Sequence, residues 1–398
     1  MTTLTGKKIV LGVTGSIAVY KSAELVRHLK KAGATVKVVM TANATRFVTP
    51  LTFETLSGNR VVWDMFSLPG TSIDHVSLGQ ESDLIVVAPA TANFLAKAAH
   101  GLGDDLLSTL ILAAAARILI CPAMDREMFS NPIVQGNIRS LRERGFVVME
   151  AETGMLATGA VGPGRFPDPV SIMEEIRHLL SDQDLEGLKV LITAGPTIEY
   201  IDPVRVVTNR STGKMGYALA RAAWSRGAEV TLVTGPTYLD PPPGAQMIKV
   251  QTAEEMREAV LGNYGDKDVV IKAAAVSDYR PRRKAQEKRK KKNGPIALQL
   301  IPTSDILAEL GKNKGNMSLV GFAAETTDHM ANARDKMERK NLDLIVVNDV
   351  SREDRGFAAD SNEVRMIDRE GNEEAVPLLS KDDVADRILD RIKALRTR

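Results

Sequence analysis

The chain spells out one structural grammar twice. Residues 7–41, KKIVLGVTGSIAVYKSAELVRHLKKAGATVKVVMT, read as a strand, a glycine-containing loop, an amphipathic helix ending at Gly33, and a second strand. Residues 188–197, LKVLITAGPT, and 209–235, NRSTGKMGYALARAAWSRGAEVTLVTG, repeat that order around a longer loop. The strands are continuous Val/Ile/Leu runs, as expected where both faces of a parallel sheet are covered. The helices carry apolar residues at helical spacing and stop at glycine. Further strands follow in each half: DLIVVAPA, ARILICPA and GFVVME, then DVVIKAAAV, MSLVGFAAE and LDLIVVNDV. Such alternation predicts an α/β protein of two doubly wound parallel-sheet, Rossmann-like domains. A helix followed by the acidic connector SDQDLEG places the boundary near residue 185, giving domains 1–185 and 186–398.

Bulk properties exclude several classes. Formal net charge is +2 across 398 residues, so no global attraction to nucleic acid or membrane is expected. The single cysteine, Cys121, rules out a disulfide framework and a multi-thiolate zinc site. The N-terminal stretch lacks a long apolar core, and LLSTLILAAAARILI is broken by Arg117 and reads as a helix turning into a strand. The expectation is a cytoplasmic chain with no membrane and no nucleic-acid partner.

In such sheets ligands gather at the carboxyl ends of the strands. Four loops of the first half converge there: Gly15-Ser16, Thr41, APATAN (88–93) and CPAMD (121–125). GVTGSIA is neither GxGxxG nor a lysine-bearing P-loop, so by itself it fits a tight strand-to-helix turn as well as a phosphate cradle.

Taken as an ordered set, GVTGSIAVYK, IDHVSLG, APATAN, GLGDDLLSTLILA, PAM-x-x-x-M and GPGR are similar to flavin-dependent cysteine decarboxylases. ITAGPT, IDPVR, NRSTGKMGYALA, AAAVSDYRP, GFAAET and KNLDLIVVND extend the likeness through the second half. The chain resembles bifunctional phosphopantothenoylcysteine decarboxylase/phosphopantothenate–cysteine ligase of coenzyme A biosynthesis. That resemblance implies a flavoprotein decarboxylase fold for the first domain. FMN would be held by Gly15, Ser16, Ile17, Thr41, Thr91, Ser108 and Met124 and would serve as the electron sink for decarboxylation. His75 matches the family's catalytic histidine, a base near neutral pH.

Two positions depart from the family. Asp125 stands where an asparagine usually contacts the substrate carboxylate, and Thr158 where a flap cysteine usually donates a proton. A hydroxyl is a far weaker acid than a thiol of pKa ~8.5. The changes compensate if Asp125, facing the substrate carboxylate, keeps its proton and acts as binder and acid in one residue. Cys121 is a rival donor, although its place in an apolar strand reads as a core residue. The alternative is a ligase whose flavin domain is catalytically degenerate.

For the second half, the resemblance implies that phosphopantothenate is activated by CTP as an acyl-cytidylate and captured by cysteine. Mg2+ would neutralise the triphosphate. Asn209 would handle the acyl-cytidylate, and Asp278 would contact nucleotide or metal. Lys272, Ala273, Ala274, Ser304, Asp305, Ile306, Leu307, Phe322, Lys336 and Lys340 would form the nucleotide site. The basic run RPRRKAQEKRKKKNG (280–294) reads alone as a nucleic-acid arm. Its lack of aromatic residues removes base stacking, and the resemblance makes it a lid with Lys288 as the phosphate-closing lysine. A two-domain NAD(P) oxidoreductase is disfavoured, because neither first loop carries GxGxxG and a downstream acid. The closing segment, LLSKDDVADRILDRIKALRTR, reads as an amphipathic helix without visible chemistry. The family further implies a homo-oligomer, with decarboxylase trimers and ligase dimers building a dodecamer.

Overall fold

A computed structural model describes residues 4–64, 74–288, 297–325, 329–349 and 359–397. The described residues form two compact units, one running to Ser181 and the other starting at Asp182.

The first unit is built on five parallel strands, Lys8–Val13, Thr35–Met40, Leu84–Ala90, Arg117–Pro122 and Val147–Val148. Their order in the sheet is second, first, third, fourth, fifth, so chain direction across the sheet reverses between the first and third strands. That reversal opens the ligand crevice of doubly wound folds. Every residue of Leu84–Ala90 is buried, which is why the sequence shows no polar alternation there. The helix Val19–Lys31 turns Leu25, Val26 and Leu29 into one apolar layer, while Phe94, Leu95, Leu107 and Leu110 fill the other. A short antiparallel hairpin, Glu152–Met155 with Val161–Arg165, stands apart from this sheet.

The second unit carries an eight-stranded sheet. Six strands are parallel: Gln246–Lys249, Glu229–Thr234, Lys189–Ala194, Val269–Lys272, Ser318–Glu325 and Leu344–Asp349. Ser361–Asp368 and Glu373–Ser380 then extend it in antiparallel fashion. The doubly wound expectation is therefore met by the parallel part and supplemented at one edge. The helices Lys214–Ser225 and Lys381–Arg396 cover one face; Ala253–Asn263, Ile306–Lys312 and His329–Arg339 cover the other. No helix among the described residues is long and apolar enough to cross a membrane.

Candidate active sites

In the first unit, Thr14 ties the loops at the reversal point together. Its hydroxyl donates to the Pro89 carbonyl at 2.7 Å and accepts from the Thr91 N–H at 3.1 Å. Thr91 in turn caps the helix Ala92–His100, and Thr41 Oγ1 accepts from the Ala44 N–H at 3.4 Å. Gly15 lies so close to Asn43 that an added Cβ would come within 2.6 Å of its side chain.

Beside these loops is an open cavity of about 560 Å³, with Ile17, Tyr20, Met155 and Phe166 among its walls. Ile17, Tyr20 and Met155 are 58%, 63% and 71% exposed, a cluster of wetted apolar side chains that a flat ring would cover. Ser16, Ile17 and Met124 line this cavity. Gly15, Thr41 and Thr91 instead shape the loops around it, and Ser108 is fully buried in a capping box with Asp105.

Asp125 also lines the cavity, and its position answers to local chemistry. The strand Arg117–Pro122 ends at proline, and Asp125 caps the next helix, Arg126–Ser130, by accepting from the Glu127 N–H at 3.0 Å. Its other oxygen accepts from the Thr158 hydroxyl at 3.3 Å. The hairpin thus brings Asp125 and Thr158 into contact. Gly164 makes the approach possible: it has φ +112°, and a Cβ there would fall 2.5 Å from the Met124 carbonyl. Cys121 is fully buried, its Sγ 3.7 Å from Met149 Sδ, and burial pushes its thiol pKa up. His75 lies in the helix Asp74–Glu81, with its side chain outside the described residues.

In the second unit a tighter cavity of about 130 Å³ lies at the strand ends, with Gly213, Lys214, Phe322, Asn348, Asn362 and Lys381 on its walls. Ala273, Ala274 and Ala275 form its small-residue floor. Asn209 donates to the carbonyls of Ala275 and Val276 at 3.0 and 3.2 Å, fixing the long loop against that floor. Gly213, at φ +80°, lets the loop turn directly into the helix Lys214–Ser225.

A second group of charges gathers about the neighbouring helices. Lys340 pairs with Asp305 at 2.9 Å, and Lys336 donates to the Phe322 carbonyl at 2.9 Å. Burial works to raise the Asp305 pKa, but Lys340 and the Ala308 N–H hold it low. Lys272 is almost fully buried with its Nζ 3.9 Å from Met256 Sδ. Burial lowers its pKa to about 7, with Asp305 opposing and Lys340 reinforcing the shift. Ile306 and Leu307 are core side chains, so only their backbone can serve a ligand, whereas Ser304 is exposed. Asp278 and Lys288 are exposed as well, and no ion pair joins either to the described residues. Among the described residues no group of three or more His, Cys, Asp or Glu could hold a metal ion.

Comparison with known proteins matches this division. Residues 1–181 fit the family described as Flavoprotein, and 185–395 the DNA/pantothenate metabolism flavoprotein C-terminal domain. The coenzyme A biosynthesis bifunctional protein CoaBC of Bacillus subtilis (strain 168) is 48% identical over 397 residues, 98% of each chain. The chain belongs to the CoaBC family. CoaBC of Vibrio cholerae serotype O1 is 44% identical, covering 98% of this chain and 99% of that protein. A crystal structure of a CoaBC C-terminal domain aligns at 44% identity, 54% of this chain, 98% of that one, and TM-score 0.47. As a CoaBC protein the chain is a bifunctional enzyme of coenzyme A biosynthesis, with a flavoprotein decarboxylase domain and a ligase domain.

Sequence reasoning about this CoaBC chain passed over Lys214, Asn348, Asn362 and Lys381. The first sits inside the quoted NRSTGKMG motif and was within reach. Asn348 ends the parallel strand Leu344–Asp349 within the quoted KNLDLIVVND motif, whereas Asn362 and Lys381 lie on the antiparallel extension and the closing helix, where only burial singles them out.

Proposed function

We propose that the two units catalyse consecutive steps. Residues 186–398 join 4'-phosphopantothenate to cysteine with CTP through an acyl-cytidylate. Residues 1–185 then decarboxylate the product to 4'-phosphopantetheine with FMN. The enzyme would work as a cytoplasmic homo-oligomer.

The apolar cavity of the first unit is of a size suited to a flavin, since ligand pockets span roughly 300–1,000 Å³. Ser16, Ile17 and Met124 would hold FMN, with Gly15, Thr41, Thr91 and Ser108 shaping the loops that receive it. When bound, FMN supplies the reversible oxidation that turns the substrate's carboxylate into a leaving group. The chain's own residues orient substrate and manage protons. His75 takes a proton from the substrate. Asp125 faces the substrate carboxylate and acts as the acid of the final protonation. The Thr158 hydroxyl, 3.3 Å from Asp125, orients that carboxyl and replaces the missing thiol by proxy.

In the second unit, the Asn209 amide and the alanine floor would hold the acyl-cytidylate. Lys336 and Lys340 would neutralise phosphate charge as pyrophosphate departs, and Lys288 would close over it. Mg2+ commonly binds through one or two carboxylates plus substrate phosphates, so a solitary Asp278 suits a metal carried in with CTP.

The contact between Asp125 and Thr158 carries the reading of a working decarboxylase over a degenerate one. Purified enzyme given phosphopantothenoylcysteine is expected to release phosphopantetheine. Asp125→Ala is expected to slow that release about 100-fold or more, the range of a lost general acid. Release undiminished in Asp125→Ala would remove Asp125 from the mechanism.

A further inference from the structure

Lys381 is the first residue of the C-terminal helix Lys381–Arg396, where Ser380 is the cap, and it is only 6% exposed. A lysine in the first turn of a helix is electrostatically misplaced, because that end already carries partial positive charge. Its surroundings compound the problem. Lys381 lines the same cavity as Lys214, the first residue of the helix Lys214–Ser225, whose first turn contains no acid. Two helix N-termini and two ammonium groups therefore converge on one small space. The first turn of the Lys381 helix also carries Asp382 and Asp383, and Asp360, its side chain 92% exposed, pairs with Lys214 at 2.6 Å. Burial, reinforced by Lys214 and opposed by Asp360, pulls the Lys381 pKa down to about 8.

A separate observation points to a ligand. Asn362, on the strand Ser361–Asp368, is 2% exposed and lines this cavity, yet its Oδ1 has no hydrogen-bond partner among the described residues. Asn348, on the adjacent strand, also lines the cavity and has no partner for its Oδ1 among the described residues. Buried amides left unsatisfied are costly, and a half-turn about the last side-chain bond exchanges oxygen for NH2. Either amide can therefore donate to an oxyanion seated between the lysines.

We propose that Lys381, assisted by Asn362, is a phosphate-positioning residue of the ligase reaction, facing from the C-terminal helix the cavity that Ser211, Gly213 and Lys214 also line. This inference rests on the ligase reading. The phosphate belongs either to the nucleotide's triphosphate or to the 4'-phosphate of phosphopantothenate; both present the same tetrahedral oxyanion.

Steady-state ligation, followed by pyrophosphate release, separates the two. Lys381→Met keeps the bulk and removes the charge. It is expected to raise KM for CTP, or KM for phosphopantothenate, at least tenfold, while KM for cysteine stays within twofold. Whichever KM rises identifies the source of the phosphate. Lys381→Arg is expected to recover most of the loss. Asn362→Asp, which places a negative charge against the oxyanion, is expected to raise the same KM and decides the matter if Lys381→Met fails to fold. All three Michaelis constants within twofold of wild type, or an equal rise in all three, would overturn the assignment. Wild-type enzyme that releases no pyrophosphate with CTP would instead remove the ligase reading, and this inference with it.

Discussion

The helix that carries Lys381 is held at its far end by a charge cluster whose strength can be worked out. Arg226 donates to both oxygens of Asp184 at 2.8 and 2.7 Å, and Lys393, near the end of that helix, donates at 2.9 Å. The Arg226 guanidinium, against the effect of burial and with help from Lys393, holds the Asp184 pKa at about 2 instead of the usual 3.8. Asp184 is 22% exposed, so screening is limited. A depression of nearly two units is about 2 kcal/mol. Asp184→Asn keeps the shape and loses the charge, while Asp390, 2.8 Å from Arg226, offers partial compensation. For a unit of this size, about 2 kcal/mol lowers the melting temperature by roughly 4–8 °C. Because the folded pKa is depressed, the contribution is complete above the usual carboxyl range and disappears as pH falls toward 2. About half should remain at pH 3. Thermal unfolding of full-length wild type and Asp184→Asn, compared from pH 7 to pH 3, reads the gap directly. A gap absent at pH 7, or constant across that range, would refute this account of the cluster.

Lys272 shifts stability in the same direction but at higher pH, as a buried charge is relieved. Its folded pKa lies below its usual value, so stability should rise as pH climbs from about 7 toward 10; Lys272→Met should abolish that rise and melt higher at pH 6. Cys121 should resist a thiol reagent in the native protein and react once per chain in denaturant; rapid native labelling would contradict its burial. Thr158→Val should slow phosphopantetheine release about tenfold or less, well short of Asp125→Ala, because Thr158 acts through the carboxyl. An equal loss in both would make Thr158 the donor itself.

What could be read from sequence follows from burial. Strands such as DLIVVAPA are covered on both faces, so they announce themselves as unbroken apolar runs. Ser361–Asp368 and Glu373–Ser380 have partly exposed residues interspersed with buried ones and carry several charges, which conceals them. The Asp125–Thr158 pairing was foreshadowed because both departures sat in recognisable motifs, but their contact depends on a hairpin and on Gly164, which spacing does not reveal. Lys381 was hidden by its setting in SKDDVADR, where it resembles one surface charge among many. Only the packing of two helix N-termini around one cavity removes it from solvent. Ile306 and Leu307 illustrate the converse: a motif match put them at the nucleotide, whereas the fold spends their side chains on the core.

The central claim is that both halves act on one substrate in turn. Incubating the protein and FMN with phosphopantothenate, cysteine, CTP and magnesium, then weighing the products by mass spectrometry, tests it most directly. Phosphopantetheine, with phosphopantothenoylcysteine as a transient, is the predicted result. Phosphopantothenoylcysteine accumulating alone would confine the chemistry to residues 186–398 and contradict the role given to Asp125 and Thr158.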